Sequence, residues 1–185
     1  MNGSFAERDW KPLQEAASVL IESPLYIDDS SVLTPIELKA RSRRFKAKYG
    51  ELGLIVVDYL QLMTPSRSTD NKANDVAEIS RSLKAVAREL EGAVIALSQL
   101  SRNVENRDNK TPQLSDLRDS GAIEQDADLV GMIYRPSYYA KDEEGRRDNS
   151  ATVNIAKNRS GPTGEARLVF LREYTRFEDR DSRFD

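Results

Sequence analysis

The sequence predicts an α/β fold built on a parallel sheet, and three features support this prediction. Two apolar runs, residues 54–57 and 93–97, lack the polar alternation of half-exposed strands, which is typical of strands buried on both faces of a parallel sheet. Between them, apolar residues recur at helical spacing from Val76 to Leu90, so a helix should connect the strands. Three strand candidates follow late in the chain and predict a sheet that closes with hairpins: residues 129–134, 151–156 and 166–171.

The first fifty residues predict two helices and one short strand. Residues 5–22 have helical spacing, and residues 25–28 are a short strand candidate. Thr34 and Glu37 form a capping box with Pro35 between them, so a second helix should begin at Pro35 and end near Gly50. We interpret the basic residues of that helix as a solvated face; they are Lys39, Arg41, Arg43, Arg44, Lys46 and Lys48.

The polar segments predict loops and a single domain. Residues 64–72 and 103–113 are rich in Ser, Asn and Asp, which is typical of loops, and Gly92 should end the helix before it. No internal repeat or linker indicates a second domain. We therefore expect one domain over residues 1–178 and a frayed tail over residues 179–185.

Composition excludes several classes of chemistry and argues against a membrane or secreted location. The 185 residues include no Cys and no His, which excludes disulfides, thiolate or imidazole metal sites and a Ser-His-Asp triad. Catalysis would have to use carboxylates, Lys, Arg and backbone groups with a hard metal such as Mg²⁺. No apolar run approaches the roughly 20 residues that span a bilayer, so we expect a cytoplasmic protein without membrane contact. The net charge of -3 argues against a uniformly basic nucleic-acid binder, although basic residues could line one channel.

Asp58 and Gln99 follow the two apolar runs. The carboxyl ends of parallel strands are where open α/β sheets bind their ligands, and a carboxylate there can hold Mg²⁺ and its waters, the Walker B role. Asp58 could equally be an ordinary strand-end turn residue. Gln99 could hydrogen-bond a γ-phosphate or a metal-bound water, but spacing alone favours a polar strand cap.

Two later segments carry further candidates. In residues 116–128, Gly121 opens a short helix whose N–H groups could meet a phosphate and Arg118 adds a charge, although composition alone favours an acidic surface turn. Lys157 and Arg159, two residues apart on a strand, point to the same side. They could reach a neighbouring subunit's triphosphate as an arginine finger does, although without context an exposed turn is the simpler interpretation.

Taken in order, these segments resemble the C-terminal motor domain of DnaB-type replicative helicases. The resemblance extends from the first helix to Phe177 and is carried by residues 54–63, 78–84, 96–102, 116–128 and 157–161. It implies a RecA-like P-loop NTPase core, homohexameric rings and ATP-driven translocation on single-stranded DNA with duplex unwinding. It implies ATP and Mg²⁺ as cofactors, and single-stranded DNA and other helicase subunits, identical or full-length, as partners.

The resemblance also implies residue roles. Asp58 matches the Walker B aspartate that acts on Mg²⁺, and Gln99 matches the γ-phosphate-sensing glutamine. Arg118, Asp119 and Gly121 match the central-channel loop that holds the DNA backbone. Lys157 and Arg159 match the cations that complete the adjacent subunit's ATP site.

The sequence departs from the family pattern at the phosphate-binding loop. None of its nine glycines is followed by Lys, so the motif G-x-x-x-x-G-K-[ST] is absent, and in the family the catalytic glutamate also lies upstream of the first helix found here. We therefore expect an incomplete core and an isolated chain that does not hydrolyse ATP. One alternative is a non-catalytic subunit that joins or poisons full-length helicase rings. Another is a related RecA-like ATPase outside replication, such as a recombinase or a clock-type protein.

Overall fold

A computed structural model describes residues 6–66, 69–117 and 121–180. The chain forms two compact units, residues 1–31 and residues 32–185. The first unit contains helix α1 (Trp10–Glu22), and the second contains the remaining helices and all the described strands. The helices are α2 (Pro35–Tyr49), α3 (Lys72–Leu90), α4 (Gly121–Asp126), α5 (Pro136–Tyr139) and α6 (Glu143–Arg147). The strands are β1 (Leu54–Val57), β2 (Ala93–Ala96), β3 (Leu129–Tyr134), β4 (Ser150–Asn158), β5 (Gly164–Leu171) and β6 (Arg176–Asp179).

The first unit confirms the predicted helix but not the predicted strand. A short 3₁₀ turn, Glu7–Asp9, leads into α1, none of whose residues is buried. Residues 25–28 have no strand structure and pair with neither described sheet. The strand prediction was therefore wrong, because a single extended segment is stable as a strand only where a neighbouring strand takes up its backbone N–H and C=O groups.

Helix α2 begins and ends where the sequence predicts. The Glu37 backbone N–H donates to the Thr34 hydroxyl over 3.2 Å, the Thr34 N–H donates to the Glu37 carboxylate over 2.9 Å, and Gly50 ends the helix at φ +93°. Its basic face, however, is not wholly solvated. Lys39 and Arg43 form ion pairs with Glu89, and Lys46 donates to the Leu90 carbonyl over 2.7 Å. This face thus fastens α2 to the end of α3.

Strands β1 and β2 pair in parallel, and α3 provides the crossover between them. The register runs from Leu54 beside Ala93 to Val57 beside Ala96. Helix α3 packs its buried side chains, including Ile79 and Leu83, against one face of the pair in a cluster that we call the first hydrophobic cluster; its buried members are Leu38, Val57, Leu60, Met63, Ile79 and Leu83. The crossover confirms the predicted strand–helix–strand unit.

The prediction that these two strands are buried on both faces was wrong. Val57 is 8% exposed on the face toward α3, whereas Val56 and Ile95 on the opposite face are 57% and 49% exposed. The physical reason is that α3 covers one face, and nothing in the described part of the chain covers the other. An uncovered apolar sheet face favours association.

We expect Val56→Thr combined with Ile95→Thr to raise the soluble concentration of the chain. Threonine keeps the β-branched shape and makes this exposed face polar, so the free energy of unfolding should change by no more than about 0.5 kcal/mol. Soluble concentration and light scattering would measure the first effect, and urea denaturation the second. The matched control is Val57→Thr on the covered face, which should destabilise by about 1–3 kcal/mol. Unchanged scattering in the double variant would contradict the expectation.

The late strands form a separate antiparallel sheet in the order β3-β4-β5-β6. Strand β3 has the predicted bounds, and hairpin pairing of the late strands is confirmed. Strand β6 was not predicted; it pairs Phe177 with Phe170 and extends to Asp179, one residue into the segment expected as a frayed tail. Beneath this sheet, Leu117, Val130 and Met132 form the second hydrophobic cluster. Among the described residues, no helix is long and apolar enough to cross a membrane.

Candidate functional site

Asp58 lies at the carboxyl end of β1 and is exposed. The chain continues through a cis peptide to Tyr59 and then into a 3₁₀ turn, Leu60–Leu62. Leu60 is fully buried in the first hydrophobic cluster, and its N–H donates to the Leu97 carbonyl over 2.8 Å. The turn after Asp58 is therefore fixed to the end of β2.

Gln99 lies beside this turn because Gln61 holds the segment that contains it. Gln61 Nε2 donates to the Ser98 hydroxyl over 3.0 Å, and Gln61 Oε1 accepts from the Gln99 backbone N–H over 3.2 Å. The structure thus brings Asp58 and Gln99 to the same edge of the parallel pair. Sequence reasoning assigned no role to Gln61. The signal for it was an amide within the otherwise apolar segment that follows Asp58.

Asp58 fits a magnesium ion bound largely through water. Mg²⁺ in nucleotide sites keeps several waters and uses one or two carboxylates together with the substrate phosphates, so a single exposed carboxylate at a strand end is a suitable ligand. Within residues 6–66, 69–117 and 121–180, no group of three or more acidic side chains could hold a metal by itself.

The segment before α4 is anchored by a buried carboxylate. Asp116 accepts from Arg107 Nη2 over 2.7 Å and from the Gln113 backbone N–H over 2.8 Å, and the Ser101 N–H donates to its carbonyl over 2.8 Å. Arg118 and Asp119, two of the three predicted DNA-binding residues, lie outside the described residues. The third, Gly121, is the first residue of α4. An added Cβ on Gly121 would meet no described heavy atom within 4 Å.

Lys157 and Arg159 contact the other end of α4. Lys157 Nζ donates to the Glu124 carbonyl and, over 3.3 Å, to the Gln125 carbonyl. Arg159 Nη2 donates to the same Gln125 carbonyl. The two cations reach the same segment, Lys157 from within β4 and Arg159 from one residue beyond its end. Among the described residues, no hydrogen bond or ion pair joins them to Asp58 or Gln99.

Asp128 pairs with two cationic side chains beside α4 and was not predicted as a site residue. Its carboxylate accepts from Lys84 of α3 and lies 3.4 Å from Arg159 Nη1. The hydrogen bond from Lys84 and the charges of Lys84, Arg159 and Arg88 lower the pKa of Asp128, so this carboxylate stays ionised at neutral pH. Next to it is an open cleft of about 600 Å³, lined mainly by polar residues that include Arg81, Arg88, Asp126 and Arg159.

Comparison with known proteins gives one family over nearly the whole chain. The family model described as DnaB-like helicase C-terminal domain matches residues 1–179. The replicative DNA helicase DnaB of Geobacillus stearothermophilus is 50% identical over 184 residues, which are 99% of this chain and 40% of the relative. The chain thus spans about two fifths of that relative's length.

Two solved structures share the fold. One, titled as a DnaB-like replicative helicase and its interactions with primase, matches with a TM-score of 0.89 at 42% identity, over 97% of this chain and 42% of the other. The other, titled as an ATPase domain, has the same TM-score and identity over 96% of this chain and 62% of the other. These matches, together with the parallel β1–β2 unit and its crossover helix, confirm a RecA-like core.

Proposed function

The chain belongs to the DnaB-like helicase C-terminal domain family, and on that premise we propose that it is part of the motor of a replicative DNA helicase. In this proposal the chain takes part in ATP-dependent translocation on single-stranded DNA and in duplex unwinding, within a hexameric ring. It supplies the Walker B carboxylate, the sensor amide, part of the DNA-binding loop and two trans-acting cations. The phosphate-binding loop is not within these 185 residues.

The observation that carries the proposal is that Asp58 and Gln99 lie at the same carboxyl edge of the β1–β2 pair. Mg²⁺ held by Asp58 would neutralise charge on the nucleotide phosphates. In this proposal Gln99, whose backbone N–H donates to Gln61, presents its amide to the γ-phosphate or to a metal-bound water. Loss of that hydrogen bond after hydrolysis would shift the Gln99 segment. The turn after Asp58 would shift with it, because Gln61 links the two.

Lys157 and Arg159 supply the trans half of a neighbouring subunit's site in this proposal. Guanidinium and ammonium groups stabilise the charge that develops on a transferred phosphoryl group, and such residues often come from an adjacent protein or subunit. Both cations lie at the end of β4, Lys157 within it and Arg159 just beyond it, and both contact one helix end, so they can act as a unit. The proposal therefore requires assembly with further helicase subunits.

We expect Gly121→Ala to weaken single-stranded DNA binding without destabilising the chain. The Cβ has free space in the described structure and Gly121 does not have a positive φ, so the free energy of unfolding should stay the same or rise by up to about 1 kcal/mol. A phosphate approaching the backbone closely would meet the new methyl group. Loss of one hydrogen bond to a charged group lowers affinity about tenfold or more. Fluorescence anisotropy with labelled oligo(dT) at several salt concentrations would measure this.

The matched control is Gly53→Ala, which also adds a methyl group into open space but lies before β1. It should leave DNA affinity unchanged. Equal affinities for the wild type and Gly121→Ala would remove Gly121 from the DNA-binding surface, and a preference for duplex over single-stranded DNA would favour the recombinase alternative.

The uncovered face of the β1–β2 pair favours the alternative of a non-catalytic subunit that joins full-length rings. Val56 and Ile95 on that face offer an apolar surface for association. Co-purification with an intact helicase of the family, followed by a slower unwinding rate of the mixed ring, would support this alternative over a catalytic role.

A further inference from the structure

The bonds of Lys157 and Arg159 to α4 satisfy the carboxyl end of that helix. The last carbonyls of a helix lack partners within the helix and carry partial negative charge, so cations are attracted to them. Here the Gln125 carbonyl accepts from both side chains and the Glu124 carbonyl from Lys157. The two cations therefore have partners within their own chain.

Asp128 contacts one of these two cations, Arg159, from a second direction. Besides its carboxylate contacts to Arg159 and Lys84, its carbonyl accepts from the Arg159 backbone N–H over 2.8 Å. Asp128 lies between the end of α4 and the start of β3, and Lys84 belongs to α3. We call Asp128 and the carbonyls of Glu124 and Gln125 the α4 cradle. It ties the end of β4 to α3 and α4.

The α4 cradle and a neighbouring subunit's triphosphate compete for the same donors. The ammonium of Lys157 has three N–H donors, and the carbonyls of Glu124 and Gln125 accept from it; both terminal nitrogens of Arg159 face the cradle. Lys157 gives two of its three N–H groups to the cradle and Arg159 two of its five, so phosphate oxygens can accept from all of them only when the side chains leave α4. A shift of α4 therefore changes how readily they are released.

We propose that the α4 cradle positions Lys157 and Arg159, with Asp128 as the positioning residue, and that α4 transmits a displacement at Gly121 to them. The inference rests on the proposed function, in which Gly121 contacts DNA and the two cations serve a neighbour. Helix α4 has six residues, so it is about 9 Å long, and Ile123 within it packs against both hydrophobic clusters. A short, packed helix moves as one body.

The test measures acetylation of individual lysines in the full 185-residue chain by mass spectrometry, with and without oligo(dT). Lys157 and Lys84 should react more slowly than Lys141, an exposed lysine away from the cradle. Oligo(dT) should raise the Lys157 rate about two- to fivefold, the factor expected when one partly exposed polar contact opens. Asp128→Asn should raise the Lys84 rate by a similar factor and reduce the effect of oligo(dT) on Lys157.

That reduced effect separates positioning from a merely structural role, because two perturbations of one network are not additive. Asp128→Glu keeps the charge and should restore part of the oligo(dT) effect. The matched control is Asp148→Asn, which removes a carboxylate that binds only Ser150 among the described side chains; it should leave both lysine rates and the oligo(dT) effect unchanged.

Anisotropy on the same samples distinguishes failure of the proposed DNA contact from failure of the link through α4. If oligo(dT) binds and the Lys157 rate does not change, the link through α4 is overturned and the proposed DNA contact stands. If oligo(dT) binds and Asp128→Asn leaves its effect on Lys157 intact, Asp128 is not a positioning residue. If oligo(dT) does not bind, the proposed DNA contact at Gly121 fails for the isolated chain and the inference fails with it.

Discussion

The isolated chain will release phosphate from ATP at the background rate, and Asp58→Ala will leave that rate unchanged. Asp58 and Gln99 can act only on a nucleotide that is already held, and the sequence contains no G-x-x-x-x-G-K-[ST] loop to hold one. Loss of even one preorganised donor in an active site costs about 10²–10³ in kcat. Here the phosphate-binding lysine of that loop, its Ser or Thr hydroxyl that binds Mg²⁺ and its backbone N–H groups are all absent. Steady-state phosphate release with Mg²⁺ and single-stranded DNA would measure the rate.

A full-length helicase of the same family is the positive control, because the same assay must detect its turnover. Turnover by the isolated chain that disappears in Asp58→Ala would contradict the prediction. That result would mean that Asp58 works with a phosphate-binding arrangement unlike that of other P-loop proteins.

Ile79→Ala will lower the free energy of unfolding by about 2–5 kcal/mol. Ile79 is 1% exposed in the middle of α3 and belongs to the first hydrophobic cluster with Leu60 and Leu83. The substitution removes apolar contacts and leaves a cavity between the helix and the turn after Asp58. Such a loss is a large part of the roughly 5–15 kcal/mol that stabilises an ordinary domain. Urea denaturation followed by circular dichroism would measure it, in the solubilised Val56→Thr and Ile95→Thr background if needed.

The matched control is Ile36→Ala in α2, where the same side chain is 66% exposed. Its effect should stay within about 0.5 kcal/mol. Similar losses for both variants would show that the first hydrophobic cluster does not govern the stability of this chain.

Local sequence signals predicted most elements of the fold, because each depends on neighbouring residues. The capping box at Thr34 placed the start of α2 correctly, and the spacing of Ile79 and Leu83 identified α3. Residues 25–28 failed as a strand, and residues 54–57 are half-exposed. Both errors concern pairing and coverage, which depend on residues far along the chain.

The candidate site also contains residues that local signals identify and residues that only long-range contacts identify. Strand ends, a glycine at a helix start and two cations two residues apart can be identified in a sequence and offered candidates, and the resemblance to the family gave the roles of Asp58, Gln99, Gly121, Lys157 and Arg159. Sequence signals led to no role for Gln61 or Asp128. Gln61 matters through contacts with residues 98 and 99, and Asp128 through contacts with Lys84 and Arg159.

The sequence by itself determined the strand–helix–strand unit, the family and the residue types that can bind a metal, a phosphate or DNA. Only the tertiary structure decided that Gln61 joins Gln99 to the Asp58 turn, that one face of the β1–β2 pair is uncovered, and that Lys157 and Arg159 are held by α4 in their own chain. The physical reason is the distance along the chain over which each kind of interaction acts. Helical spacing and capping act over a few residues, whereas hydrogen-bond partners and burial depend on segments that approach one another only when the chain has folded.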